Sequence, residues 1–181
     1  MSECDRKYII SVEEVVDFGL VTLKANFVDT KICDLVETVT DTKFPDVGRI
    51  SISKKLSVGW MSTDEIAILL KKNEAEKMVR RLATKLKSYH NLCINMSDSR
   101  KCFKLYGYGW REVLSKGTPA NLNPKVFTIG SFRRTRIANV AVAIWAIDQN
   151  EAYVFSISSV GSFMFDWLQT ANLESGHLKY Y

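Results

Sequence analysis

The chain has little of what marks a secreted or membrane-spanning protein. Its four cysteines, Cys4, Cys33, Cys93 and Cys102, are spread over 181 residues with no Cys-x-x-Cys pair. So few scattered thiols cannot staple a chain of this size, so they are read as reduced thiols in a cytosolic or nuclear setting. The opening MSECDRKYII holds no apolar run and no small-residue cleavage site, so no secretory leader is expected. The longest apolar candidate, Ile137 to Ile147, has 11 residues and includes Asn139, against the roughly 20 that a bilayer span requires. Any membrane contact is expected to be peripheral.

Recognisable catalytic chemistry is equally scarce. His90 and Cys93 stand close in sequence, but a closed zinc site takes about four ligands, and His177 is the second of only two imidazoles. Nothing beside these cysteines marks an activated thiolate or an orienting partner. The GYGW run at Gly107 lacks the third glycine and the following helix of a phosphate-binding loop. The carboxylates are dispersed, with no pair spaced for acid and base work. No metal, no cofactor and no enzymatic activity are expected.

What the chain does have is a core and a lopsided charge. Hydrophobic residues make up 46% of it, enough for a globular domain and too many for a disordered one. A single domain over residues 1–181 is expected. The net charge of +5 conceals a division: residues 71–136 carry 16 Lys/Arg against 4 Asp/Glu, while residues 1–70 carry 8 against 12 and residues 137–181 carry 1 against 4. A concentrated positive segment attracts phosphate-bearing partners, whether nucleic acid or lipid headgroups.

Periodicity outlines the elements. Val15–Phe27 reads as a strand, and Asp29 or Thr30 then caps a helix whose Ile32, Leu35, Val36 and Val39 share one face. GRISISKKLSVGW alternates as one strand, with Ile50, Ile52, Leu56, Val58 and Trp60 on one parity and a bulge or edge at Lys54. STDE at Ser62 matches a capping box, so a helix is expected there. Its continuation aligns Ala75, Met78, Val79, Leu82, Leu86 and Tyr89, opposite Lys77, Arg80, Arg81, Lys85 and Lys87.

LCINMSDSRKCFKLYGYGW reads as a hairpin in which Arg100, Lys101 and Lys104 interleave with Phe103, Tyr106, Tyr108 and Trp110. REVLSKGTPANLNPK is expected to be an exposed loop. VFTIGSFRR and TRIANVAVAIWAI follow as two strands, the second interior, with Arg133 and Arg134 at the turn between them. DQNE turns into a further strand, AYVFSIS. A last helix points Phe163, Met164 and Trp167 inward. The order implies an α+β fold, a single compact domain with a mainly antiparallel sheet and flanking helices.

FGLVTLKANFVDTKICDLVETV, a strand leading into a helix, resembles the opening of the globular domain of rhabdovirus matrix proteins. VFTIGSFRRTRIANVAVAIWAIDQNEA resembles that family's later hairpin. The size and basic character resemble the short members from plant-infecting viruses; the disordered basic tail and proline-rich motif of animal-virus members have no counterpart here. The resemblance implies a non-enzymatic structural protein of the virion. Such a protein self-associates, condenses the viral nucleocapsid and its RNA, and binds an anionic membrane surface peripherally. It would sit in the virion and host cytoplasm, with the nucleus possible.

On this reading Lys77, Arg80, Arg81, Lys85, Arg100, Lys101, Arg133, Arg134 and Arg136 form the polyanion-binding surface. Lys116, Gly117, Thr118, Pro119 and Leu122 form the self-association loop by analogy with the family. The alternative is a viral RNA-binding regulator or silencing suppressor that uses the same basic face.

Overall fold

The computed structural model describes residues 8–173 and 176; Cys4 and His177 lie outside them. The described residues divide into two compact units, one of residues 16–99 and one combining residues up to 15 with those from 100 onward. The α+β class is observed, with antiparallel strands and flanking helices. There are two five-stranded sheets rather than one.

After β1 (Ser11–Glu14), which belongs to the second unit, the chain lays down the first. In order it forms β2 (Gly19–Ala25), α1 (Thr30–Thr40), β3 (Ile50–Ile52), β4 (Ser57–Ser62), β5 (Glu65–Leu70), α2 (Ala75–Lys85) and β6 (Asn91–Asn95). The sheet order is β3-β4-β5-β2-β6, and every pairing is antiparallel. β2, α1, β4, β5, α2 and β6 thus form a split β-α-β arrangement with both helices against one face. Register explains the core: Val21, Ile68 and Val58 line up across three strands, and Leu23 and Ile66 across two. Side chains alternate between faces along a strand, so these project together. They bury against Ile32, Val36 and Val39 of α1 and Ala75, Met78 and Leu82 of α2.

The α1 expectation holds to its caps. The Asp29 side chain accepts a hydrogen bond from Lys31 N at 3.0 Å, satisfying one of the unpaired donors of the first turn. Asp41 ends the helix in the left-handed region at φ 52°, donating its N–H to Glu37 O.

Two neighbouring expectations fail. GRISISKKLSVGW is a hairpin, not one strand: Ser53 N donates to Leu56 O at 2.9 Å, and Lys54 and Lys55 form its tip. STDE does not cap a helix but turns β4 into β5, with the Ser62 hydroxyl donating to Asp64 Oδ1 at 2.6 Å. The helix begins only at Ala75.

The second unit contains β7 (Arg100–Tyr106), α3 (Trp110–Ser115), β8 (Phe132–Ile137), β9 (Val140–Ala146), β10 (Glu151–Ile157) and α4 (Gly161–Ala171), with sheet order β1-β7-β10-β9-β8. Phe103, Leu105, Ile144 and Val154 bury with Trp110, Val113 and Leu114 of α3 and Met164 and Leu168 of α4. β9 is interior, as its apolar parities imply, and the turn into β10 is where DQNE places it.

The expected 92–110 hairpin does not form, because β6 and β7 belong to different sheets. β8 covers all of Phe132–Ile137, so Arg133 and Arg134 lie within an edge strand and the turn comes at Ala138, whose φ is 49°. α4 turns Met164 and Leu168 inward and half-buries Trp167, but leaves Phe163 exposed.

The segment expected to be an exposed loop is partly helical and tied down. α3 takes Arg111 to Ser115. Arg111, 6% exposed as a residue, donates from its guanidinium to Leu122 O at 2.7 Å and Phe127 O at 2.9 Å while stacking 4.2 Å from the Trp110 ring. These bonds fasten the return segment to α3, so Leu122 and Phe127 are buried.

Candidate functional site

α2 buries a stripe of Ala75, Met78 and Leu82 and turns Lys77, Arg80, Arg81 and Lys85 to solvent. Residues three and four apart share a helix face, which gathers these four cations along one side. Arg80, Arg81, Thr84 and Lys85 face Thr38 and Val39 of α1 across a groove of about 320 Å³ within the first unit. Arg81 fixes that geometry by donating from Nη2 to Val39 O at 2.6 Å. Val39 belongs to the last turn of α1, whose carbonyls have no partner inside the helix. Thr38 and Thr84 spend their hydroxyl protons on Asp34 O and Arg80 O, each at 2.8 Å, so their oxygens can only accept. Glu37 is occupied by Phe44 N, which donates to its Oε1 at 2.6 Å. Lys77 lies farther up the helix, 3.9 Å from Glu74 Oε2.

The other five expected cations belong to the second unit and do not share a face. Lys101 pairs with Glu14. Arg100 is half-buried at the start of β7, opposite Ile157. On β8 the alternation of side chains separates the arginines. Arg134 and Arg136 share the parity of Phe132, whereas Arg133 takes the opposite parity and lies 5.4 Å from the Phe127 ring. A basic stretch that is continuous in sequence is therefore divided between two units and, on β8, between two faces.

The residues expected for self-association mostly secure their own unit. Lys116 Nζ donates to Ala171 O at 2.6 Å at the end of α4. The Thr118 and Thr135 hydroxyls lie 3.0 Å apart. Gly117 sits so close to the Trp167 indole that a Cβ there would come within 2.2 Å of it. Leu122 is buried, leaving Pro119 as the exposed member.

The groove residues that the sequence reading missed are Thr38, Val39 and Thr84. Each helix was legible as amphipathic, but nothing local says that residues 38 and 80 meet. The available signal was the β-α-β-β-α-β order, which puts two helices side by side on one sheet.

The three described thiols are displaced upward by their surroundings. Burial pushes Cys93 to about 11 and raises Cys102 further. Cys33 is raised by burial first and then by Asp34 and Glu37. That is the direction opposite to nucleophilic activation.

Comparison with known proteins decides the family. The model of the sarcosine oxidase, gamma subunit family matches residues 26–174, from before α1 through α4. The chain belongs to this family. A sarcosine oxidase subunit gamma of Corynebacterium sp. strain P-1 is 25% identical over 118 residues, covering 65% of this chain and 57% of that protein. Another from Arthrobacter sp. is 28% identical over 98 residues, covering 54% and 47%. The aligned stretch thus spans about half the length of these relatives.

Among solved structures, a chain of the heterotetrameric sarcosine oxidase from Corynebacterium sp. U-96 superposes with a TM-score of 0.82 at 22% identity, covering 90% of this chain and 83% of that one. The glycine cleavage system aminomethyltransferase T from Bartonella henselae gives 0.65 at 11% identity, covering 90% and 46%. At these identities both likenesses concern the fold.

Membership in the gamma subunit family overturns the viral reading. The chain is not a rhabdovirus matrix protein, and the silencing-suppressor alternative, the nucleocapsid and membrane partners and the virion location fall with it. A strand leading into a helix and a later hairpin are elements that many unrelated folds share, so element order could not carry that identification. The expectation of no enzymatic role is also too simple, since the family consists of subunits of an enzyme.

Proposed function

We propose that the chain serves as a gamma subunit in a multi-subunit sarcosine oxidase, where it supplies binding and structural surface while the reacting groups reside on other subunits. The observation that carries this reading is the family match over residues 26–174, which takes in both helices of the first unit and both of the second. Two local features agree with it. Its described thiols, Cys33, Cys93 and Cys102, are raised by burial rather than activated. Its buried guanidinium, Arg111, is committed to two loop carbonyls and an aromatic ring.

The test is co-expression with the other subunits of the oxidase, followed by size-exclusion chromatography and a sarcosine-dependent activity assay. The chain is expected to co-elute with the assembly, and the chain alone to show no turnover. Elution apart from the other subunits, or turnover by the isolated chain, would refute the proposal.

A further inference from the structure

We infer that the groove between α1 and α2 docks an acidic segment of a partner subunit, with carboxylates on the cationic wall and an apolar side chain over Val39; this rests on the subunit role proposed above. Charge complementarity carries the inference. One wall presents Arg80, Arg81 and Lys85, with Lys77 farther along the same helix, and among the described residues no acid of either helix lines the groove. α1 does carry Asp34 and Glu37, with Asp41 at its C-terminal cap, but Glu37 is already held by Phe44 N.

Arg81 has one nitrogen fixed on Val39 O, so its planar fork is oriented before a ligand arrives, and an oriented guanidinium suits bidentate recognition of a carboxylate. Thr38 and Thr84 present acceptor oxygens that can take backbone N–H groups from a peptide. The remaining surface is Val39 and the aliphatic stems of the arginines and lysine, which cover apolar contacts while their charged heads stay in water. Among the described residues no aromatic ring lines the groove, so they offer a nucleic acid no stacking platform. Its volume of about 320 Å³ lies at the lower end of the range for small-molecule pockets, which suits a few side chains of a segment laid across it.

The test uses the assembled oxidase. The chain carrying Arg80→Glu and Lys85→Glu is co-expressed with the other subunits, and its retention is read by size-exclusion chromatography at several salt concentrations. A control carries Arg133→Glu and Arg136→Glu on β8. The groove variant is expected to bind at least about tenfold more weakly, with a flatter salt dependence, while the control is retained like the wild type. Retention of the groove variant at the wild-type level would overturn the inference, as would equal loss in the control, which would reduce the effect to net charge.

If circular dichroism shows the charge-reversed chain unfolded, Arg80→Gln with Lys85→Gln is judged by the same criterion. Failure of the wild-type chain to join the assembly is a different result, and it refutes the subunit proposal itself.

Discussion

Replacing Arg111 by methionine tests how the second unit holds its long return segment. Methionine keeps much of the side-chain volume but removes the donors to Leu122 O and Phe127 O, at 2.7 and 2.9 Å. Each buried carbonyl left without a partner costs about 1–3 kcal/mol, so the two together cost about 2–6 kcal/mol. Loss of the guanidinium over the Trp110 ring, 4.2 Å away, adds about 0.5–2 kcal/mol. Against this stands relief from holding a charge out of water, which is several kcal/mol for a buried ion. The balance favours net destabilisation of about 3 kcal/mol, because the carbonyls stay in place when their donor is removed.

For a chain of this size 1 kcal/mol moves the melting temperature by about 2–4 °C, so a drop of about 6–12 °C is expected. Urea unfolding followed by tryptophan fluorescence gives the free energy, and limited proteolysis after residue 116 reports release of the segment. A loss below about 0.5 kcal/mol with unchanged cleavage would refute the argument that Arg111 is the fastening.

At Gly117 an alanine Cβ would meet the Trp167 ring at 2.2 Å, so Gly117→Ala should cost about 1–3 kcal/mol by overpacking. Combining it with Trp167→Leu should give less than the sum of the two losses; strict additivity in calorimetry would contradict the contact. Alkaline stability follows from the raised Cys93 and Tyr153. Their folded forms keep protons that the unfolded chain releases, so their stabilisation is complete below the ordinary values of 9.0 and 10.0. It is lost as pH rises toward about 11 for Cys93 and about 12 for Tyr153. Urea midpoints should therefore fall from about pH 9 upward, and a flat profile to pH 11 would contradict the burial of Cys93.

Much of the fold is legible where local chemistry and tertiary packing agree. Asp29 and the Ile32, Val36, Val39 stripe define α1, and the apolar parities of Val140–Ala146 mark β9 as interior. The reading fails where one local pattern serves two structures. Ser62-x-x-Glu65 fits a helix cap and a hairpin turn equally well, and what decides is that Ile66 and Ile68 complete rows with β2 and β4. The even-numbered alternation from Ile50 to Trp60 runs through the tip at Lys54 and Lys55 in sequence only: the register pairs Ile50 with Gly59 and Ser51 with Val58, so Ile50 and Val58 take opposite faces of the sheet.

The candidate site was half visible. Arg80, Arg81 and Lys85 stand out as the basic face of α2, yet the groove exists only because α1 lies alongside, a contact between residues about 40 apart. Charge counted along the chain could not show that Arg133 and Arg134 take opposite faces of β8. Nor could it distinguish a polyanion-binding surface from cations placed among structural partners such as Glu14 and Phe127.

The proposed role as a subunit of a larger oxidase is tested most directly by light scattering coupled to size-exclusion chromatography of the co-expressed subunits. This chain should co-elute in a peak whose mass matches the complete assembly with one copy included. A peak of the remaining subunits alone, with this chain eluting separately near 20.6 kDa, would contradict it.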